Sequence, residues 1–262
     1  MLHTHHFAYG WVTPVIAYIM SFTGSLLGLQ CARRARVSER PGGWLVGAAV
    51  AIGGTGIWVM HFVAMLGFSI DGASIRYNVP LTLASAVIAV VVVWIGLSLV
   101  TRGQRAGRDG WTLLTGGLIT GLGVGAMHYA GMFAMRTDAT LSYSLGIVAL
   151  SLVIAVVAAT AALWFALHVR GTIASIGAAI IMGIAVCGMH YTGMTAMHAE
   201  HLDPAPAPHG ADGVQLLLPL MIGVSVVTMM LLINVGLTDN EDYRVTPAPA
   251  GGGTDGSTGR LR

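Results

Sequence analysis

Three short motifs pair a histidine with methionines: Met60-His61-Phe62-Val63-Ala64-Met65, Met127-His128-Tyr129-Ala130-Gly131-Met132 and Met189-His190-Tyr191-Thr192-Gly193-Met194. Each reads Met-His-aromatic, with a second Met four residues after the His. Met135 and Met197 extend the second and third copies, where the first has Phe68. Thioethers suit Cu(I) and imidazole suits copper in both oxidation states, whereas zinc more often recruits thiolate or carboxylate, and magnesium or manganese recruits oxygen. The shared positions hold no carboxylate, so the ligand set favours copper, with zinc and iron as less natural alternatives.

On a helix, at about 100° per residue, a Met four positions after a His lies about 40° away and one seven positions after lies about 20° to the other side. His, Met and Met thus form a stripe. The Met preceding each His points about 100° away and is the less natural partner. Singly, such residues read as packing, because Met fills apolar cores and an intramembrane His is a hydrogen-bonded packing group or a functional one. Three matched copies shift that reading toward a metal site at Met60, His61 and Met65, Met127, His128 and Met132, and Met189, His190 and Met194. Met135, Met197 and Cys187, which stands three residues before His190, are secondary candidates. His3, His5 and His6 near the N-terminus, with His198, His201 and His209 late in the chain, read as solvated polar sequence or as capture sites for metal.

The elements that must hold these residues are membrane helices. The 262-residue chain is 55% hydrophobic and 9% charged, with a mean hydropathy of +0.76, which excludes an ordinary soluble domain. A helix needs about 20 apolar residues to cross roughly 30 Å of hydrocarbon. Seven such runs occur, at about Gly10 to Ala32, Gly43 to Phe68, Pro80 to Val100, Trp111 to Met135, Ser144 to His168, Thr172 to Met197 and Gln215 to Leu237. No period-two alternation runs through them, so an all-α bundle is expected and a β-barrel is not. Gly117, Gly121 and Gly125 form a small-residue stripe on the fourth run, read as helix packing.

All 13 basic residues are arginines. With the N-terminus outside, the cytoplasmic side receives Arg33, Arg34, Arg36, Arg40, Arg102, Arg105, Arg108, Arg170, Arg244, Arg260 and Arg262, and the outer side only Arg76 and Arg136. The positive-inside rule then selects N-terminus out and C-terminus in. No basic region precedes the first apolar run and no cleavage motif follows it, so that helix is expected to stay. Cys31 and Cys187 fall at different depths and predict no disulfide. The histidines are spaced by 67 and 62 residues, one helical hairpin each, so the chain reads as three hairpin repeats. All three motifs then end even-numbered helices at one depth near the outer face.

The third copy, Met189-His190-Tyr191-Thr192, together with the threefold repeat, resembles the MHYT domain family of bacterial membrane sensors, over about Tyr9 to Leu237. The resemblance implies seven transmembrane helices in a bacterial inner membrane and a copper site near the periplasmic face, held by the nine His and Met residues named above. It also implies sensing of O2, CO or NO ahead of cytoplasmic signalling domains. Phe62 and Val63 in the first copy and Ala130 in the second depart from the tetrapeptide, so Tyr and Thr hydroxyls cannot be ligands in every copy.

Three segments are expected: a His-containing periplasmic N-terminus over 1–9, the membrane domain over 10–237 and a disordered cytoplasmic tail over 238–262. That tail holds Pro247, Pro249 and Gly251 to Gly253 and is too short for a cyclase, phosphodiesterase or kinase domain. The expectation is therefore a non-enzymatic sensor in the lipid bilayer that signals to a separate cytoplasmic protein and binds no nucleic acid. Copper handling or transport is the alternative, disfavoured because soft ligands toward the cytoplasm are few, mainly Met20 and Cys31. A membrane metalloenzyme ranks lower, since Asp and Glu are essentially absent from the apolar runs and no haem motif appears.

Overall fold

A computed structural model describes residues 2–201 and 208–244. Seven helices are long and apolar enough to span a membrane: α1 (Val12–Val37), α2 (Pro41–Leu66), α3 (Val79–Arg105), α4 (Asp109–Ala134), α5 (Leu145–His168), α6 (Thr172–Thr195) and α7 (Gly213–Arg244). The expected spans are all present. The first ends later than expected, at Val37, so Arg33, Arg34 and Arg36 occupy its final turns. The last runs past Leu237 to Arg244, and the expected tail beyond it lies outside the described residues.

Local sequence explains the boundaries. Pro41 opens α2, where a missing N–H costs nothing. The Asn78 side chain caps α3 by accepting the Leu81 N–H at 3.1 Å. Arg36 donates to the carbonyl oxygens of Leu167 and Val169 at the end of α5, using acceptors that the helix leaves free.

Helices α1 to α6 pack as consecutive neighbours, and α6 closes back on α1, so the three hairpins α1–α2, α3–α4 and α5–α6 form a ring. α7 lies outside it, against α2, where Thr55 and Thr228 share a hydrogen bond between their hydroxyls. α2 is consequently buried on all sides from Ala51 to Met65, while Val87, Leu122, Val157 and Ile184 turn outward from the other helices as a lipid-facing surface requires. Glycines permit the close crossings. A Cβ on Gly24 would strike the Gly56 backbone, and one on Gly53 would stand 2.6 Å from Ala89 O. The Gly117, Gly121 and Gly125 stripe lies against Thr160, Val156 and Leu152 of α5, as packing predicts.

Two features depart from a plain bundle. Val50–Val59 of α2 is π-helical, immediately before Met60 and His61, a local rewinding that often accompanies functional sites. Short strands also cover the face that carries the N-terminus: β1 (Thr4–His5), β2 (Ser69–Ile70), β3 (Ile75–Tyr77), β4 (Met135–Thr137), β5 (Ala139–Tyr143), β6 (Met197–His201) and β7 (Ala211–Asp212). The antiparallel pairs β1–β2, β3–β4 and β5–β6 each join the strand before an odd helix to the strand after the next even helix. Three backbone bonds repeat the relation, from Ala8 N to Gly67 O, Asn78 N to Ala134 O and Ser144 N to Ala196 O, at 2.9, 2.8 and 2.8 Å. The ring therefore has pseudo-threefold symmetry, and β7, added at the edge of β3, belongs to the extra helix.

Candidate metal centre

The even helices α2, α4 and α6 all run toward the strand-covered face, and their motifs fall in the last two turns. This puts His61, His128 and His190 at one depth with their side chains toward the axis of the ring. They are 1%, 0% and 1% exposed. Their rings stand nearly perpendicular in pairs, at 76°, 83° and 86°, with centroids 4.9 to 5.2 Å apart. One ligand nitrogen from each lies within 4.8 Å of the others, and no Asp, Glu or Cys among the described residues joins the group.

Hydrogen bonding alone cannot satisfy this arrangement. His61 Nδ1 lies 3.0 Å from His190 Nδ1 and 3.2 Å from His128 Nδ1. A neutral imidazole nitrogen offers either one hydrogen or one lone pair, so His61 Nδ1 can serve one neighbour properly and not both. A cation takes a lone pair from each. Three imidazole nitrogens bound at about 2.0–2.1 Å to one metal stand about 3.3–3.6 Å apart, within a few tenths of an ångström of the observed contacts. The cluster can hold a metal ion.

The outer nitrogens explain how the rings are aimed. The buried Nε2 atoms of all three have no hydrogen-bond partner among the described residues. His61 Nε2 points at Gly131 and His128 Nε2 at Gly193, each so close that a Cβ there would collide with the ring. Each glycine stands three residues after a motif His, on the next even helix around the ring. Packing against bare backbone therefore fixes these rings, in place of the carboxylate partner usual for metal-bound histidine. The repeated glycine was visible in the second and third motifs. Its role was not, because it serves the histidine of a different repeat.

Met60, Met65, Met127, Met132, Met189 and Met194 are all buried within four residues of the histidines. Met65, Met132 and Met194 sit one turn nearer the strand-covered face. Met189 also lines an apolar cavity of about 50 Å³ on the opposite side of the cluster, with Ile57, Val124, Ala155 and Met182. Met135 and Met197 open β4 and β6, buried opposite Tyr77 and Tyr143. Cys187 is a partly buried free thiol that does not join the cluster.

Apart from His168, which ends α5 on the opposite face and stacks on Trp164, the remaining histidines lie on the strand-covered face. His5 pairs with Asp71 at 3.2 Å, and His198 with Ser144 at 2.9 Å. His3 and His209 are exposed, and the His201 side chain lies outside the described residues. His6 alone among the first six residues offers a buried ring nitrogen, Nδ1, without a partner. Burial, and secondarily the nearby His5, holds this imidazole below its ordinary range.

The fold and site together define a polytopic membrane protein with a buried three-histidine centre on a pseudo-threefold axis. The chain belongs to the MHYT family, described as a bacterial signalling protein N-terminal repeat, which it matches over residues 54–112, 121–179 and 183–242. It is 35% identical over 237 residues to the bifunctional diguanylate cyclase/cyclic di-GMP phosphodiesterase MucR of Pseudomonas aeruginosa, covering 87% of this chain and 34% of that protein. It is 39% identical over 150 residues to the cyclic di-GMP phosphodiesterase NbdA of the same organism, covering 55% and 19%. The signaling protein YkoW of Bacillus subtilis is 30% identical over 210 residues, covering 77% and 25%. The chain thus spans about a third or less of the length of these relatives. No solved structure matches it. Its relatives are signalling proteins, and a membrane sensor role follows from the family.

Proposed function

We propose that this protein senses a diatomic gas, O2, CO or NO, through copper held by His61, His128 and His190, with Met65, Met132 and Met194 as thioether partners. The convergence of three Nδ1 atoms that cannot satisfy one another carries this reading. The buried surroundings, with no carboxylate joining the cluster among the described residues, favour a singly charged ion, because the cost of burying charge rises steeply with its magnitude. Soft thioethers on the same helices point the same way. Copper there would supply a coordination position that a gas can take. The apolar cavity beside Met189 suits a small uncharged ligand and offers few polar groups to a passing ion, which favours sensing over transport.

The arginine distribution supports placing the strand-covered face outside an inner membrane, with the site near the periplasm. The names of the relatives suggest an output: a shift in ring packing read on the arginine-rich face by cytoplasmic machinery that makes or degrades cyclic di-GMP. This membrane domain itself does no catalysis in this reading. The test is metal content of detergent-purified protein against the His61→Ala, His128→Ala, His190→Ala triple variant. About one copper per chain in the parent and none in the triple variant is expected. Equal copper in both, or a different metal in the parent, would overturn the assignment.

A further inference from the structure

The N-terminal arm is one of three equivalent strands, yet it carries one residue more than the other two. In β3–β4 and β5–β6 the register runs without interruption into the Asn78–Ala134 and Ser144–Ala196 bonds. In the arm, His5 faces Ser69, but Ala8 bonds to Gly67, so His6 and Phe7 together oppose Phe68 alone. Two residues against one is a β-bulge, a device that re-aims a side chain. Phe7 takes the place that symmetry assigns it, because its contact with Tyr191 at 5.6 Å repeats those of Tyr77 with Phe62 at 6.1 Å and Tyr143 with Tyr129 at 6.3 Å. His6 is the extra residue, without a counterpart in the other repeats.

The bulge turns His6 inward while His3 and His5 stay exposed. Its ring lies 5.5 Å from that of Phe68, at the level where the other repeats place Met135 and Met197. Its buried Nδ1 has no partner among the described residues. On helices rising about 1.5 Å per residue, the soft side chains then form tiers from the mouth inward: His6, Met135 and Met197, then Met65, Met132 and Met194 one turn deeper, then the three histidines another turn deeper.

We propose that His6 is the receiving ligand at the mouth of the metal centre, taking a soft monovalent ion from the exposed face and passing it down the methionine tier to the buried histidines. The inference rests on the reading of those histidines as a metal site. The first repeat has lost its outermost thioether to Phe68, and the inserted His6 replaces it with an imidazole lone pair.

Loading kinetics of the metal-free, detergent-purified full chain test this, with Ag(I) as a redox-inert probe and Cu(I) beside it. His6→Ala should slow loading at least about tenfold and leave the final metal stoichiometry unchanged. His5→Ala, altering an outward side chain already paired with Asp71, should load at the parent rate. His6→Met keeps a soft donor and should restore much of the rate, whereas His6→Phe fills the same space without one and should stay slow, which separates a ligand from a packing role. Parent-rate loading in His6→Ala or His6→Phe would overturn the proposal and leave the buried site standing. No metal taken up by the parent would overturn both.

Discussion

The first copy of the motif and the other two sit in unlike surroundings although their sequences nearly coincide. α4 and α6 are regular helices with one flank toward lipid, and each carries a glycine three residues after its histidine. α2 is enclosed by its ring neighbours and by α7, is π-helical up to its motif, and carries Ala64 and Phe68 where the others carry a glycine and a methionine. His61, from this copy, is also the one whose Nδ1 contacts both other histidines. A threefold site is thus built on a frame in which one repeat has become the core of the fold. That repeat should respond differently to the same change.

The largest effect is expected where α2 is enclosed. Gly24→Val would drive a side chain into the Gly56 and Ala51 backbone, which cannot yield as a flexible side chain would, and should destabilise the protein by about 3 kcal/mol or prevent folding. Gly188 on α6 has open space around its Cα, so Gly188→Ala should be neutral or stabilise by up to about 1 kcal/mol through helix propensity. Thermal unfolding in detergent measures both. Equal responses would mean that α2 is no more constrained than α6.

Next come the glycines that aim the rings. Gly131→Ala forces the His61 ring aside and should cost about 1–3 kcal/mol together with most of the metal binding. Ala64→Gly, which brings the first copy into line with the others, creates no clash and should cost no more than about 1 kcal/mol, from helix propensity. Unaltered metal content in Gly131→Ala would show that ring position does not govern the site. Among the histidines, His61→Asn should weaken metal binding about tenfold more than His128→Asn, a difference of about 1.4 kcal/mol, because it removes the nitrogen that both partners touch. Competitive titration with a chelator reads that ratio, and equal losses would mean the metal equalises the three.

Much of this was legible because the signals are local. Seven apolar runs read directly as seven helices, and a motif repeated once per hairpin placed His61, His128 and His190 at one depth. The Gly117 stripe faces a neighbouring helix as its spacing implies. What stayed hidden depends on contacts between distant segments. Nothing within Val50–Val59 distinguishes a π-helix from an ordinary glycine-rich span, since the rewinding belongs to a helix pressed between α1 and α3. The N-terminal arm looked like loose polar sequence because a two-residue strand has no periodicity to detect, and its partner, Ser69–Ile70, lies 64 or more residues away. Cys187, three residues before His190, stood as a secondary candidate, and the cluster gathers without it.

The smallest effect concerns Phe68, the plainest departure of the first copy. Phe68→Met would complete a set of three outer methionines with Met135 and Met197 while removing the ring against which His6 packs. Met adapts to irregular space, so the stability change should stay within about 1.5 kcal/mol. Final metal stoichiometry should not move, because position 68 lies two turns from His61. The informative measurement is the double variant: if the first copy lost a thioether that His6 now replaces, Phe68→Met should recover part of the loading rate that His6→Ala removes. Absence of any recovery would mean that position 68 is not equivalent to Met135 and Met197, and that the symmetry of the site stops one turn above the histidines.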